Sequence, residues 1–145
     1  MLSRDFKEFV GFLNANAVDY LVVGGYAMAL HGRPRHTGDL DVWVDRRPEN
    51  VARLMQALRD FGFGGLGLSE DDFSRPDQVV QLGYPPFRID LLTSIDGVEF
   101  VKAWPRRREF ASDGLVLHFI GIDDLKANKR ACGRPRDIDD LENLP

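Results

Sequence analysis

The chain has 145 residues, of which 43% are hydrophobic, and its 19 Lys and Arg residues against 23 Asp and Glu residues give a formal net charge of −4. This length is typical of one domain, and we expect a single domain over residues 1–145. The acidic balance argues against a protein that coats nucleic acid or binds membranes through a basic surface. The single cysteine, Cys132, excludes an internal disulfide framework and a multi-cysteine zinc site.

The amino-terminal segment carries charges among its apolar residues. No stretch of the chain reaches the roughly 18 apolar residues that a membrane span needs. We therefore expect a cytoplasmic protein with no membrane partner.

The first half of the chain alternates between helical and strand patterns. Apolar residues recur at helical spacing after Ser3, which is a candidate N-cap. The elements predicted next are a strand at 20–23, a short helix at 26–30, a strand at 40–44 and a helix that begins at Pro48 and ends at Gly62.

The second half adds more strands before it becomes helical. The predicted elements are strands at 78–82 and 87–93, a short helix at 97–104, a hairpin at 107–111 and 115–120, and helices at 123–131 and 135–144. The strands are too irregularly spaced for a series of βαβ units. The pattern predicts an α+β domain whose carboxyl-terminal segment, from about residue 121, is helical.

Two carboxylates, Asp39 and Asp41, stand two positions apart at the strand predicted for 40–44. Residues two apart on a strand point the same way, which places their Cβ atoms roughly 6–7 Å from each other. Two shielded carboxylates at that distance repel unless they are protonated or bridged by a cation, and Mg²⁺ prefers such oxygen ligands. Solvent-facing acids on an edge strand are the commoner explanation of an Asp-x-Asp pair considered alone.

Two further features lie before and after this pair. Gly24-Gly25 follows a strand and precedes a helix, where backbone N–H groups and the helix dipole favour an anion such as phosphate. Asp90 lies between apolar residues in a later predicted strand. If that strand neighbours the first one, the three carboxylates could hold two divalent ions about 4 Å apart, as two-metal phosphoryl-transfer sites do.

The order of these pieces resembles the nucleotidyltransferase superfamily that includes DNA polymerase β, and especially its minimal bacterial members. The matching pieces are Val23-Gly24-Gly25, then after 13 residues Asp39-Leu40-Asp41-Val42, and later Ile89-Asp90-Leu91. Arg35-His36-Thr37-Gly38 is similar to the Arg-x-Thr-x-Asp lead-in of those proteins. The tail from Ile122 to Leu141 is similar to a subgroup that includes relatives of toxin–antitoxin nucleotidyltransferases. The resemblance implies a mixed β-sheet with helices packed mainly on one face.

The resemblance also implies transfer of a nucleoside monophosphate from an NTP, such as ATP, to an acceptor hydroxyl. Asp39, Asp41 and Asp90 would be the catalytic residues and the ligands of two Mg²⁺ ions, with Mn²⁺ as a substitute. The triphosphate would contact Gly24, Gly25, Thr37, Lys126 and Lys129. The last two belong to a segment, 102–136, with nine Lys or Arg residues and four acids. Each lysine could equally lie on a solvated helix face.

Two classes of function stay open at this point. The first is an active nucleotidyltransferase acting on RNA, a protein side chain or a small hydroxyl compound. The second is a non-catalytic nucleotide-binding or partner-binding member of a toxin–antitoxin or defence pair. So short a chain leaves little room for acceptor recognition, which favours a homodimer or a partner protein. The glycines between Gly62 and Gly67 follow a helix and open none, which argues against a dinucleotide-binding fold.

Overall fold

The computed structural model describes residues 2–33 and 38–145, and within these ranges the chain forms seven α-helices and six β-strands. The helices are α1 (Arg4–Ala15), α2 (Gly24–Leu30), α3 (Pro48–Phe61), α4 (Asp71–Ser74), α5 (Phe100–Ala103), α6 (Ile122–Cys132) and α7 (Pro135–Asn143). The strands are β1 (Tyr20–Val23), β2 (Leu40–Val44), β3 (Val79–Leu82), β4 (Ile89–Leu92), β5 (Arg108–Ser112) and β6 (Leu115–Phe119). A 3₁₀ turn, Trp104–Arg106, follows α5.

The strands form one six-stranded mixed sheet in the order β3-β4-β2-β1-β6-β5. At its centre, β1 is antiparallel to β2 and parallel to β6, while β2 is parallel to β4. The outer strands β3 and β5 pair antiparallel with β4 and β6. The predicted α+β fold with a mixed sheet is therefore confirmed.

Local sequence signals explain where the longer helices begin and end. The Ser3 hydroxyl accepts a hydrogen bond from the Phe6 N–H at 3.2 Å, which caps the start of α1 as predicted. Pro48 occupies the first turn of α3, where its missing N–H costs nothing. Gly62 ends α3 with a φ of 104°, in the left-handed region that favours glycine.

The hydrophobic core covers the centre of the sheet. All four residues of β1 are buried, and α1 packs against α3 partly through an edge-to-face contact of Phe9 with Phe61. Trp43 on β2 is 2% exposed and packs edge-on against Phe100, with ring centroids 5.0 Å apart. This indole therefore belongs to the core. Most of β5 is exposed, which leaves an open edge of the sheet.

One helix was not predicted. Helix α4 is a single turn, Asp71–Ser74, in a polar segment whose only fully buried side chain is Phe73. A single apolar residue gives no helical periodicity, so the burial of Phe73 against the core is what places this turn.

No helix within residues 2–33 and 38–145 is both long and apolar enough to cross a lipid bilayer. The cytoplasmic location predicted from the sequence stays a prediction.

Candidate active site

The parallel pairing of β2 with β4 brings two of the predicted acids side by side. Asp41 lies directly opposite Asp90 in the register of the two strands. Neighbouring strands lie about 5 Å apart, and paired residues project from the same face, so the two carboxylates are adjacent. Asp39 immediately precedes β2, two positions before Asp41. The structure thus brings together acids that the sequence separates.

Arg88 links the third carboxylate to this pair. Its Nη2 donates to Asp39 Oδ2 at 2.6 Å and to Asp90 Oδ2 at 3.2 Å. Its Nε also lies 3.1 Å from Asp90 Oδ1. A single guanidinium therefore neutralises part of the charge of two acids. We call Asp39, Asp41, Asp90 and Arg88 the acid cluster.

Burial destabilises the ionised carboxylates of the acid cluster. Asp90 is 8% exposed, and its Oδ1 accepts no hydrogen bond of acceptable geometry. The pKa of Asp41 is raised to about 7, chiefly by burial and then by the charges of Asp90 and Asp39, while Arg88 opposes the rise. The raised pKa means that the single arginine of the cluster does not offset the burial and crowding of the Asp41 charge.

Gly24 is required by the position of Asp41. A Cβ at residue 24 would overlap the Asp41 carboxylate and would come within 3.1 Å of Asp41 Cβ. Gly24 also has a φ of 68°, which side chains other than glycine rarely adopt. The first glycine of the Gly24-Gly25 pair, which together begin α2, thus leaves space for the Asp41 carboxylate. From the sequence, the expected role of this glycine pair was only to let a phosphate approach the backbone.

The two predicted lysines differ in their surroundings. Lys126, on α6, is half-buried, and its ammonium donates to the backbone oxygen of Pro145. Lys129 is 8% exposed, and its Nζ lies 2.9 Å from Asp140 and 3.4 Å from Asp137, both on α7. A nucleotide would have to share the Lys129 ammonium with these carboxylates. The predicted role of each lysine in nucleotide binding stays a prediction.

Thr37, the remaining predicted nucleotide contact, lies outside the described residues. His36 and most of the Arg-x-Thr-x-Asp lead-in do as well. The contribution of Thr37 to nucleotide binding stays a prediction from the resemblance.

Whether the acid cluster suits a divalent cation depends on its donors and on their present arrangement. Within residues 2–33 and 38–145, no three His, Cys, Asp or Glu side chains are arranged closely enough to hold a metal ion. The donor chemistry nevertheless fits Mg²⁺, because the cluster supplies carboxylate oxygens in excess over positive charge, and Asp90 Oδ1 is buried without a hydrogen bond. The ligand chemistry of the three acids therefore fits Mg²⁺. In their present arrangement, however, the Arg88 guanidinium contacts two of the three carboxylates.

A family model described as "Nucleotidyltransferase of unknown function (DUF6036)" matches residues 3–144. The chain belongs to this nucleotidyltransferase family. Its fold is similar to the crystal structure of a "putative nucleotidyltransferase" from Thermotoga maritima, with a TM-score of 0.64 and 15% sequence identity over 96% of this chain and 89% of that chain. At 15% sequence identity, this similarity shows a shared fold alone. No curated protein sequence matches the chain.

The family match confirms the resemblance that the acid pattern predicts. It covers nearly the whole chain, including both glycines, the three acids and the two helices α6 and α7. The individual roles of these residues in this nucleotidyltransferase stay predictions.

Arg88 is the residue of the cluster that sequence reasoning missed. It precedes Asp90 by two positions, so a strand through both residues directs their side chains to the same face. That spacing was a usable signal.

Proposed function

We propose that this nucleotidyltransferase transfers a nucleoside monophosphate from an NTP to an acceptor hydroxyl and releases pyrophosphate. The observation that carries the proposal is the register of β2 and β4, which sets Asp41 opposite Asp90, with Asp39 joined to them through Arg88. The family match supports nucleotidyl transfer as the reaction class. The finer assignments below rest on the acid cluster.

In the proposed reaction, the acceptor oxygen forms a bond to the α-phosphorus of the NTP. The bond from that phosphorus to the oxygen of the leaving pyrophosphate breaks, and the acceptor hydroxyl loses its proton. Asp39, Asp41 and Asp90 would hold two Mg²⁺ ions, which Mn²⁺ could replace. When bound, such ions neutralise the triphosphate and lower the pKa of the acceptor hydroxyl.

The protein's own contribution is mainly positioning and charge. Asp90 is the least exposed of the three acids and has an oxygen without a hydrogen bond, which suits it to orient the acceptor hydroxyl and to favour loss of its proton. Gly24 keeps Asp41 in place, and Gly25 would line the path of the triphosphate. Lys126 and Thr37 are the proposed phosphate contacts outside the sheet, with ATP as the first nucleotide to test.

The acceptor is proposed only as a class, namely a hydroxyl group on RNA, on a protein or on a small molecule. A homodimer or a partner protein would supply the surface that recognises it. Membership of a toxin–antitoxin or defence pair belongs to the alternative proposal, in which the protein binds a nucleotide or a partner without catalysis.

The test is an assay of label transfer from each α-³²P-labelled NTP, with Mg²⁺ or Mn²⁺. Total RNA, cell protein and small aminoglycoside-like compounds are offered as separate acceptors. We expect transfer by the wild-type protein and a loss of about 10³-fold or more in Asp39→Asn, because an anionic ligand becomes neutral. Asp113→Asn is the matched control, since Asp113 lies in the exposed turn between β5 and β6, at the other edge of the sheet.

Asp39→Asn transferring at the wild-type rate would disprove the proposed chemistry. NTP binding without transfer to any acceptor would instead favour the non-catalytic nucleotide-binding function.

A further inference from the structure

Arg88 is held beside the acids by the backbone as well as by its side chain. The Leu40 N–H donates to the Arg88 carbonyl oxygen at 3.1 Å, which ties the segment before β4 to the start of β2. The guanidinium therefore does not reach the acids from a loose loop. Its position follows from the same strand pairing that sets Asp41 opposite Asp90.

The ion pairs of Arg88 are partly shielded from water. The Arg88 side chain is 30% exposed, and the side chains of Asp39 and Asp90 are 35% and 11% exposed. Shielded pairs are less weakened by salt than surface pairs, so this guanidinium is a strong local counter-charge. Because it contacts both oxygens of Asp90, it lies where a cation bound by Asp90 would also have to lie.

The contact with Asp90 is nevertheless incomplete. Arg88 Nε and Asp90 Oδ1 are both buried, and neither makes a hydrogen bond of acceptable geometry although they lie 3.1 Å apart. A buried donor and a buried acceptor without partners each carry a free-energy penalty. The guanidinium thus makes a short hydrogen bond with Asp39 but leaves one oxygen of Asp90 without a hydrogen bond. A ligand that bonds to both oxygens of Asp90 could replace the guanidinium there.

We propose that Arg88 is the internal counter-cation of the acid cluster, and that a divalent cation must displace its guanidinium from Asp90 in order to bind. This inference rests on the proposed function, because it assigns the cluster to metal ions. The guanidinium and the metal ion then compete for the same carboxylate oxygens. Arg88 stabilises the metal-free protein and lowers its affinity for the metal.

The inference is tested with the variant Arg88→Gln and Mn²⁺ alone, without nucleotide. Binding is followed by the electron paramagnetic resonance signal of free Mn²⁺. We expect about tenfold tighter Mn²⁺ binding than in the wild type, since loss of a charge-assisted pair removes the competitor. In chelator the variant should unfold at a lower temperature than the wild type, and saturating Mn²⁺ should raise its midpoint by more.

Arg106→Gln is the matched control. Arg106 forms a bidentate pair with Asp124, a carboxylate 7% exposed and distant from β2 and β4 in the sequence. The control loses the same kind of contact, so it should also unfold at a lower temperature in chelator. Its Mn²⁺ affinity should equal that of the wild type.

Mn²⁺ binding that is equal or weaker in Arg88→Gln would overturn the inference, since Arg88 would then be neutral toward the metal or would help to position its ligands. Equal binding with intact label transfer would leave the proposed function standing. A wild-type protein and an Arg88→Gln variant that both fail to bind Mn²⁺ at millimolar concentration would disprove the inference together with the metal role of the acids.

Discussion

Two of the regions that bury charged side chains balance those charges differently. In the acid cluster, one arginine pairs with two of the three carboxylates, and one carboxylate oxygen lacks a hydrogen bond. Between α6 and α7, Lys129 pairs with Asp137 and Asp140, and the Arg134 guanidinium lies 2.7 Å from Asp137. We call this second group the helix clamp.

The pKa values of the acids reflect this difference. The pKa of Asp41 in the acid cluster is raised to about 7, chiefly by burial. The pKa of Asp137 in the helix clamp is lowered, chiefly by its hydrogen bond with Arg134. A buried carboxylate with matched partners is a structural element, whereas an excess of buried carboxylates is relieved by a proton or by a cation from outside. Charge balance thus separates a candidate active site from a structural ion pair of similar composition.

The largest effect on stability is expected from breaking the helix clamp. Lys129→Met removes the cation between two acids that are almost fully buried, which should lower the free energy of unfolding by about 3 kcal/mol. Denaturant titration measures this loss. Lys126→Met, on the same helix but half-buried, should change stability by less than about 0.5 kcal/mol.

These two variants also test the predicted nucleotide contacts. If Lys126 binds the triphosphate, Lys126→Met should raise the KM for the NTP while the protein stays folded. A Lys129→Met protein of wild-type stability with a raised KM would show that the helix clamp is a binding site instead.

A smaller loss is expected from Gly24→Ala, in the acid cluster. The positive φ of Gly24 and the overlap with Asp41 should together lower the free energy of unfolding by about 2 kcal/mol. The new methyl group should also weaken Mn²⁺ binding, because Asp41 has to move. Gly114→Ala is the control, since Gly114 has a φ of 77° but open space around its Cα.

Gly114→Ala should lose about 1 kcal/mol from backbone strain and keep the wild-type affinity for Mn²⁺. Equal losses of stability in the two variants, with unchanged Mn²⁺ binding, would mean that Gly24 serves only the backbone and not Asp41.

The smallest effect is a difference in pH dependence between the two regions. The folded protein keeps a proton on Asp41 up to about pH 7, whereas the unfolded chain loses it near pH 4. Stability in chelator should therefore fall between pH 4 and 7, by about 1–2 kcal/mol relative to Asp41→Asn, which has no carboxyl to titrate.

The helix clamp should show the opposite sign. Because the pKa of Asp137 is lowered, its contribution is present above pH 4 and is lost as the pH falls through the folded value. Denaturant unfolding at several pH values gives the slope of the free energy of unfolding against pH for each region. The proteins compared are the wild type, Asp41→Asn and Asp137→Asn. Slopes of the same sign would contradict the proposed difference in charge balance.

Much of the fold was predictable from local signals. The buried stripe of α1 and the limits of β1 follow from apolar spacing, and the start and end of α3 follow from Pro48 and Gly62. The choice of the three acids as candidates also rested on local signals, because charged residues in apolar strands are unusual. These signals depend on only a few neighbouring residues.

The pairing of distant segments was not predictable in the same way. No local pattern states that Asp41 lies opposite Asp90, since strand register depends on how the whole sheet packs. The burial of Lys129 was also hidden, because the sequence does not reveal that acids of α7 pack against this lysine. In both cases the missing information was which residues lie across the interface.

The parallel pairing of β2 with β4 also has a consequence for folding. Arg88 and Asp39 are 49 positions apart, and a parallel pair cannot be closed by a short hairpin turn. The chain between them has to close into a loop before the carboxylates meet, and the entropy of closing that loop makes such long-range contacts slow to form. Metal affinity should therefore emerge only after β2 and β4 have paired, because a partly synthesised chain ending before β4 lacks Asp90.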